Sequence, residues 1–210
     1  MTENIEVFKQ NSIRISSSKG MIYVDPFKMD NAPCDAAFIL ITHDHYDHFS
    51  PEDIEKVKGK DTVLIVPENM ADKACQIWSG RMVTVKPGST LETDGLKLET
   101  VPSYNIAKRF HPKNAGWVGY ILNPDGKRIY VAGDTDATDD AKKVRCDIAL
   151  VPIGGTYTMD PKEAAGLINE IQPETAIPVH YGSIVGNPSD QDEFARFVKD
   201  TVKVVFKIKF

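Results

Sequence analysis

Residues 42–48 read Thr-His-Asp-His-Tyr-Asp-His and follow directly after an apolar run at 36–41. Three of the five histidines in this 210-residue chain, together with two aspartates, fall within six of these positions. Imidazole and carboxylate groups are ligands that Zn²⁺ and neighbouring transition metals accept. A polar turn that is rich in histidine by chance is the alternative, but α/β folds place their chemistry at the end of a buried strand. The stretch therefore predicts a metal site.

The composition is that of an ordinary globular protein. Hydrophobic residues make up 41% and charged residues 26% of the chain, and its length predicts one domain over 1–210 with a substantial core. The net charge of −5 gives no general attraction to nucleic acid or to anionic membranes. We therefore expect a small-molecule substrate. The oligomeric state is open, a homo-oligomer included.

The cysteines and the first residues of the chain predict a cytoplasmic protein. Cys34, Cys75 and Cys146 are odd in number, widely separated and without a CxxC pair, which disfavours a disulfide framework. Residues 1–6 are acidic and lack the apolar core of a signal peptide. No apolar run approaches the ~20 residues that a membrane span requires. We expect no membrane partner.

Strand and helix patterns alternate in two halves of similar layout. Ser50-Pro51 and Asp160-Pro161 are N-cap signals that predict helices beginning there, and further helices are predicted at 67–77 and 191–201. This order predicts an α/β protein with two sheets packed face to face and helices outside, a four-layer αββα sandwich. The predicted strands are 5–8, 12–16, 21–24, 36–41, 62–66, 81–85, 96–102, 117–122, 128–131, 147–152 and 175–179.

The last nine residues, 202–210, predict one more strand. Val204, Phe206, Ile208 and Phe210 fall at every second position and would share one face. The lysines at 203, 207 and 209 would lie on the solvent side, which is typical of an edge strand protected against pairing with another chain.

The remaining chemical groups also lie at predicted strand ends. His180 follows the strand at 175–179 directly, and His111 lies in the loop after the strand at 96–102. Asp134 comes after Gly133 at the end of another strand, where a glycine lets the backbone approach whatever the carboxylate binds. All five histidines are thus on loops at strand ends, a distribution that packing alone would not produce.

The pattern His43-x-His45-x-Asp47-His48, followed by a later histidine, by Gly133-Asp134 and by His180, resembles the metallo-β-lactamase superfamily. Within that superfamily the chain is similar to the small, single-domain, metal-dependent hydrolases, the branch that includes ascorbate-6-phosphate lactonase. Segments 151–155, 157–160 and 178–182 also resemble that branch. The resemblance covers essentially the whole chain, and it is specific for the superfamily rather than for a substrate.

The resemblance implies two divalent metal ions about 3.5–4 Å apart, with Zn²⁺ expected and Mn²⁺ or Fe²⁺ as alternatives. A water molecule between the ions, its pKa lowered toward ~7, would become the hydroxide nucleophile. Asp47 would orient that hydroxide as the catalytic residue. The implied ligands are His43, His45 and a third histidine for the first ion, Asp47, His48 and His180 for the second ion, and Asp134 as the bridge.

The third histidine is where the chain departs from the superfamily pattern. Relatives usually carry it just after the strand that ends here at 101–102, whereas this chain has Asn105 nearby. Asn is a poor Zn²⁺ ligand, and His111 is the only remaining histidine, so we favour His111. If His111 were instead an exposed loop residue, one ion would be held weakly, and a single ion or a harder metal such as Mn²⁺ would be expected.

Groups beside the ligands supply candidate substrate contacts, and each has an alternative role in packing or in supporting a ligand. The candidates are Asn105, Thr156, Tyr157 and Tyr181. Asp44 and Asp136 are predicted to orient ligand histidines, and Trp78 and Trp117 to belong to the core.

The resemblance implies a metal-dependent hydrolase that cleaves an ester, lactone or phosphoester bond. Two other classes stay open, a di-iron oxidoreductase-like member of the same fold and a non-catalytic metal-binding protein. Di-iron relatives usually replace a histidine of the first motif by a carboxylate, whereas His45 is present here. A closed structural zinc site normally uses four ligands rather than the seven that the resemblance implies.

Overall fold

The computed structural model describes residues 2–210 and contains two mixed β-sheets. In the first sheet the strands lie in the order β1-β2-β3-β4-β5-β6. β1, β2 and β3 pair antiparallel, and β3 to β6 run parallel. The strands are β1 (Ile5–Val7), β2 (Ile13–Ser17), β3 (Gly20–Val24), β4 (Ala36–Leu40), β5 (Lys58–Pro67) and β6 (Met82–Val85).

The second sheet has the order β13-β12-β11-β10-β9-β8-β7. β7 to β10 pair antiparallel, and β10 to β13 run parallel. Its strands are β7 (Thr90–Thr93), β8 (Leu96–Pro102), β9 (Val118–Asn123), β10 (Ile129–Val131), β11 (Ile148–Pro152), β12 (Thr175–Val179) and β13 (Lys203–Val204).

The helices begin where the capping signals predict. The Ser50 hydroxyl accepts a hydrogen bond from the Asp53 amide, and Asp160 forms a reciprocal capping box with Glu163. None of the helices within residues 2–210 has both the length and the apolarity that crossing a membrane requires. The helices are α1 (Pro51–Val57), α2 (Ala71–Cys75), α3 (Pro161–Ile171) and α4 (Asp190–Phe197), with 3₁₀ turns at Glu68–Met70, Lys113–Ala115 and Ala141–Lys143.

The alternation of side chains along β4 confirms the layered architecture. Phe38 and Leu40 face the core between the sheets, while Ile39 and Ile41 belong to a second cluster on the outer side. In that outer cluster they pack with buried residues of α1 and α2. α3 packs against β11 of the second sheet and against α4. The apolar run at 36–41 is therefore buried on both faces, as predicted.

Two predicted helices are shorter in the structure. The helix predicted at 67–77 is a 3₁₀ turn, Glu68–Met70, followed by α2 over Ala71–Cys75. The last helix ends at Phe197 rather than near 201, because Val198 adopts an extended backbone conformation.

The closing strand is an edge strand, but it is much shorter than predicted. β13 pairs with β12 only at Lys203 and Val204. The Val205 amide donates a hydrogen bond to the Ala176 carbonyl of β12. Pro178, two residues further along β12, faces the same side and has no N–H to donate to the last segment. The ladder therefore ends, and the shared apolar face predicted for 202–210 is wrong at Phe206 and Phe210, which are 42% and 56% exposed.

Hydrogen bonds between the two sheets fix the edge at which several strands end. The fully buried Tyr120 of β9 donates its hydroxyl to the Ile41 carbonyl at 2.7 Å, and the Val118 amide donates to the Thr42 carbonyl at 3.2 Å. The carboxyl ends of β3 and β4 therefore lie opposite those of β8, β10 and β12. The His180 amide, which follows β12, donates to the Gln10 carbonyl at 2.9 Å.

Asp53 joins α1 to the segment after β3. Its carboxylate accepts hydrogen bonds from the Lys28 and Met29 amides, both at 2.9 Å, and from the Ser50 hydroxyl at 2.8 Å. We expect Asp53→Ala to lower the free energy of unfolding by roughly 2–3 kcal/mol, because buried donors lose their acceptor. The exposed neighbour Glu52 makes a surface ion pair, so Glu52→Ala should cost less than about 1 kcal/mol. Equal losses in urea denaturation would contradict this assignment.

Candidate metal centre

Seven side chains gather where the strand ends meet. They form three groups in which the potential ligand atoms all lie within 4.8 Å of one another. Such a density of imidazole and carboxylate groups is what a transition-metal site requires. The groups are His43, His45 and His111; His43, His48 and Asp134; and Asp47, His48 and His180.

Asp134 lies between the groups and contacts histidines from both halves of the chain. Its Oδ2 is 3.3 Å from His111 Nε2 and also 3.3 Å from His180 Nε2, and its Oδ1 is 3.4 Å from His48 Nε2. Burial disfavours the ionised carboxyl, but the rings of His180 and His48 outweigh burial and hold the pKa of Asp134 well below its usual range. The carboxylate is therefore ionised at neutral pH.

Gly133 lets this carboxylate approach the histidines. Its φ of +65° lies in the left-handed region that favours glycine, and an added Cβ would lie 3.1 Å from Thr42 Cβ and 3.3 Å from Ser103 Oγ. Ser103 Oγ also donates a hydrogen bond to the Asp134 carbonyl at 2.8 Å. The end of β10 is thereby packed against the loop after β4.

The first two histidines lie side by side, with His43 Nε2 at 3.1 Å from His45 Nδ1. His43 is buried and His45 is half-buried. Burial, followed by the charge of His48, holds the pKa of His43 well below its usual range, and burial with His111 lowers the pKa of His45. Both rings are thus neutral at pH 7, the form in which imidazole binds metal ions.

Three buried atoms of this cluster fit a bound cation. Among residues 2–210, His48 Nε2, His111 Nε2 and Asp134 Oδ1 have no hydrogen-bond partner. Native proteins rarely leave buried polar atoms without partners, since each costs ~1–3 kcal/mol. Imidazole nitrogens and a carboxylate oxygen that converge without hydrogen bonds fit a divalent metal ion, which would displace any proton on the rings.

Asp25 lies behind His48 and supports its ring. The sequence did not predict this role, since Asp25 stands there only as the residue after a predicted strand. Its Oδ2 is 2.7 Å from His48 Nδ1 and accepts hydrogen bonds from Thr42 Oγ1 and Asn11 Nδ2. This contact leaves His48 Nε2 directed at the cluster. The available signal was an aspartate at the end of β3, next to the strand that carries the histidines.

His48 lies in a strongly negative environment. Burial alone would lower its pKa, but the carboxylates of Asp134, Asp25 and Asp47 raise the pKa of His48 to about 9. Three carboxylates around one buried ring create a negative potential, and such a potential favours a cation at this point.

Asn105 positions His111. Its Oδ1 is 3.0 Å from His111 Nδ1 and accepts the His111 amide at 3.1 Å. Its Nδ2 donates to Asp136 Oδ1 at 3.1 Å and to the Tyr157 carbonyl at 2.9 Å. Every polar atom of the buried Asn105 side chain is thus engaged, which corrects the prediction of a substrate contact. His111 Nε2, by contrast, faces His43 and His45.

His180 is held by an unusual backbone and by Gln10. It has a φ of +58°, which is uncommon for a residue with a Cβ and costs of order 1–3 kcal/mol. Gln10 Nε2 lies 3.5 Å from both ring nitrogens of His180, and the Gln10 carbonyl accepts the His180 amide. Strain of this size persists where surrounding contacts fix the conformation, and it is often found at functional sites.

Asp47 lies beside the second group of ligands. Its Oδ2 is 3.4 Å from His180 Nε2 and 3.7 Å from His48 Nε2. Burial opposes ionisation, but the hydrogen bond with His180 and the charge of His48 lower the pKa of Asp47 below its ordinary value. Asp47 is therefore an acceptor at neutral pH.

The predicted substrate contacts are placed differently from one another. Thr156 is exposed and Tyr157 half-buried on the loop after β11. Tyr181 is fully buried, and its hydroxyl donates to Gln191 Oε1 at 2.7 Å. Its ring packs edge to face against Phe210, with centroids 5.6 Å apart, so the enclosed side chain does not reach a substrate and its prediction as a substrate contact is corrected.

Three supporting predictions also change. Asp44 forms an ion pair with Lys73 at 3.1 Å and does not orient a histidine. Asp136 acts on His111 only through Asn105. Trp78 is buried as predicted, whereas Trp117 is half-buried, its ring centroid 5.0 to 5.5 Å from those of the first group of histidines.

Comparison with known proteins gives a consistent result. A family model described as a beta-lactamase superfamily domain matches residues 4–180. Proteins of Pyrococcus abyssi and Thermococcus onnurineus, both named metal-dependent hydrolases, are 33% and 30% identical, with 88% of this chain and 87% of each relative covered. A crystal structure from Parabacteroides distasonis is 30% identical, with a TM-score of 0.81 over 97% of this chain and 91% of that chain.

The role of Asn105 can be tested through metal affinity. We expect Asn105→Ala to weaken binding at the His43, His45 and His111 group by roughly 10–100-fold, since His111 loses the partner that fixes its ring. Chelator competition, followed by the fluorescence of the adjacent Trp117, measures this affinity. Asn114 is exposed in the same loop, so Asn114→Ala is a matched control with unchanged affinity. An Asn105→Ala variant that binds metal like the parent would refute the assignment.

Proposed function

Because this chain belongs to the metallo-β-lactamase superfamily, we propose that it is a metal-dependent hydrolase with a centre for two divalent ions. The observation that carries this proposal is the position of Asp134. One carboxylate oxygen is 3.3 Å from His111 and 3.3 Å from His180, which belong to different ligand groups. A carboxylate shared in this way suits a bridging ligand between two ions.

The ligand assignment follows from these groups. Each ion would have mainly histidine ligands, with carboxylates at the bridge and at the second ion. Nitrogen-rich sites with a few carboxylates suit Zn²⁺ best, and they also accept Mn²⁺ or Fe²⁺. We assign His43, His45 and His111 to the first ion, Asp47, His48 and His180 to the second, and Asp134 to both.

Bound metal ions would polarise the scissile group and supply hydroxide near neutral pH by lowering the pKa of water. The residues of the chain would hold the ions and orient the attacking water. Asp47, which is ionised and 3.4 Å from His180, would accept a hydrogen bond from the attacking water and orient it as the catalytic residue. Trp117 packs against the rings of the first group, and His45 is the one ligand of that group that is only half-buried.

The reaction class that this chemistry serves is hydrolysis of an ester, lactone or phosphoester in a small molecule. The narrower resemblance to the ascorbate-6-phosphate lactonase branch stays a prediction. The same holds for a cytoplasmic location, for a single domain over 1–210, for a homo-oligomer and for Thr156 and Tyr157 as substrate contacts.

Chelation provides the first test. Prolonged EDTA treatment should abolish hydrolysis of p-nitrophenyl acetate and bis-p-nitrophenyl phosphate, because the histidine and carboxylate groups then lack the ions that supply the nucleophile. Zn²⁺ or Mn²⁺ should restore it, with two ions per chain by elemental analysis. Activity that survives chelation would contradict the proposal, and a metal-loaded protein inactive on every substrate would favour a binding protein. Iron as the bound metal would support the di-iron alternative.

Substitution of the bridge provides the second test. Asp134→Ala should release both ions and lower hydrolysis by more than ~100-fold, since even residues that only support a ligand cost ~10–100-fold. Asp44 is an aspartate of the neighbouring loop that pairs with Lys73, so Asp44→Ala should keep metal content and activity. An Asp134→Ala protein that retains two ions would rule out the bridging role.

A further inference from the structure

Large apolar side chains are exposed at positions that directly adjoin residues of the metal centre. Three of them adjoin residues of the centre in sequence: Tyr46 follows His45, Ile106 follows Asn105, and Phe110 precedes His111. They are 67%, 68% and 46% exposed. The remaining large exposed apolar side chains among residues 2–210 are Phe197, Phe206 and Phe210, on α4 and the last segment.

Two of these residues are linked to Tyr157, Phe110 by a ring contact and Ile106 through its neighbour Asn105. The ring of Phe110 meets that of Tyr157 edge to face, with centroids 4.6 Å apart. Tyr46 lies between His45 and Asp47 in sequence, and its ring meets that of Phe27 edge to face, with centroids 6.1 Å apart. Ile106 joins them through its neighbour Asn105, which donates to the Tyr157 carbonyl. We call Tyr46, Ile106, Phe110 and Tyr157 the apolar rim.

The rim is held in place by hydrogen bonds beneath it. The backbone amide of Asn105 donates a hydrogen bond to the His111 carbonyl at 2.7 Å, and this bond joins the two ends of the loop at 105–111. The Ile106 amide donates to Asp136 Oδ2 at 2.8 Å, and Lys108 pairs with Asp136 at 2.9 Å. Apolar groups fixed in contact with water next to a reactive centre are typical of a surface that a ligand covers.

The charges near the rim do not favour a phosphate-bearing substrate. Lys108 pairs with Asp136, Lys113 with Asp140, and Lys73 with Asp44. Arg109 is the loop cation left without an ion-pair partner among the described residues, and it is exposed. Phosphate sites are usually built from several converging donors rather than from one surface cation.

We infer that the centre acts on carboxylic esters or lactones with an apolar acyl part, and that the apolar rim is the subsite for that part. This inference rests on the proposed function. In the reaction the oxygen of water bonds to the acyl carbon, and the bond from that carbon to the alcohol oxygen breaks. A proton passes from water to the departing oxygen, so the products are a carboxylic acid and an alcohol.

Chain length of the acyl group tests the inference. Metal-loaded protein is assayed with p-nitrophenyl acetate, butyrate, hexanoate and octanoate. We expect kcat/KM to rise roughly three- to fourfold per methylene until the rim is covered, because each methylene leaves water. Octanoate, the product, should also bind more than about tenfold tighter than butyrate in calorimetry, with a negative heat-capacity change.

Substitutions in the apolar rim test whether the dependence of kcat/KM on acyl chain length arises there. Phe110→Ser and Ile106→Ser should each reduce the octanoate-to-acetate ratio of kcat/KM at least about fivefold, as apolar contact area is lost. Phe206 is an exposed aromatic residue outside the rim, so Phe206→Ser is the matched control and should keep the parental ratio. Metal content measured on every variant separates loss of the subsite from loss of the centre.

The outcomes distinguish this inference from the proposal beneath it. A metal-loaded protein that hydrolyses no ester, lactone or phosphoester would overturn the proposed function together with the inference. Ester hydrolysis that is independent of chain length, or a preference for p-nitrophenyl phosphate, would overturn only the apolar subsite. A dimer that dissociates in the rim variants while the chain-length profile is unchanged would assign the rim to contact between copies, and would also overturn the subsite.

Discussion

A buried, ionised carboxylate with no lysine or arginine paired to it among the described residues is the constraint on which the rest of the structure depends. Asp134 is 4% exposed, and its contacts in the cluster are histidine rings rather than a lysine or arginine. Removing a carboxylate from water without a paired charge is costly. The two sheets therefore have to bring imidazole groups from distant parts of the chain to this one point, and the gathered imidazole and carboxylate groups suit a divalent cation.

Each histidine that meets Asp134 is fixed by a residue from another part of the chain. His48 is backed by Asp25 from the end of β3, His111 by Asn105, and His180 by Gln10 from the turn after β1. Such partners set the ring orientation and direct the free nitrogen toward the metal. Both sheets thus contribute to one site, and the hydrogen bond from Tyr120 to the Ile41 carbonyl holds them in register.

The sequence predicted those features of the fold and of the site that depend on residues close together in the chain. The alternation along β4, the caps at Ser50 and Asp160, and the histidines at strand ends are all encoded within a few residues. Contacts across long separations were not predictable, because periodicity carries no information about them. Asp25 reaches His48 over 23 residues and Gln10 reaches His180 over 170, and β13 stops because of a proline in the neighbouring strand. The enclosure of Tyr181 likewise includes a contact with Phe210, which is distant in sequence.

The unequal burial of the histidines has a consequence for the rate at which bound ions would exchange with solvent. His43, His48, His111 and His180 are almost completely enclosed, whereas His45 is half-buried. In the proposed centre, an ion held by the half-buried His45 would exchange with solvent faster than one held by the enclosed His48 and His180. Replacement of the enclosed ion would then be set by local opening of the fold rather than by its affinity alone.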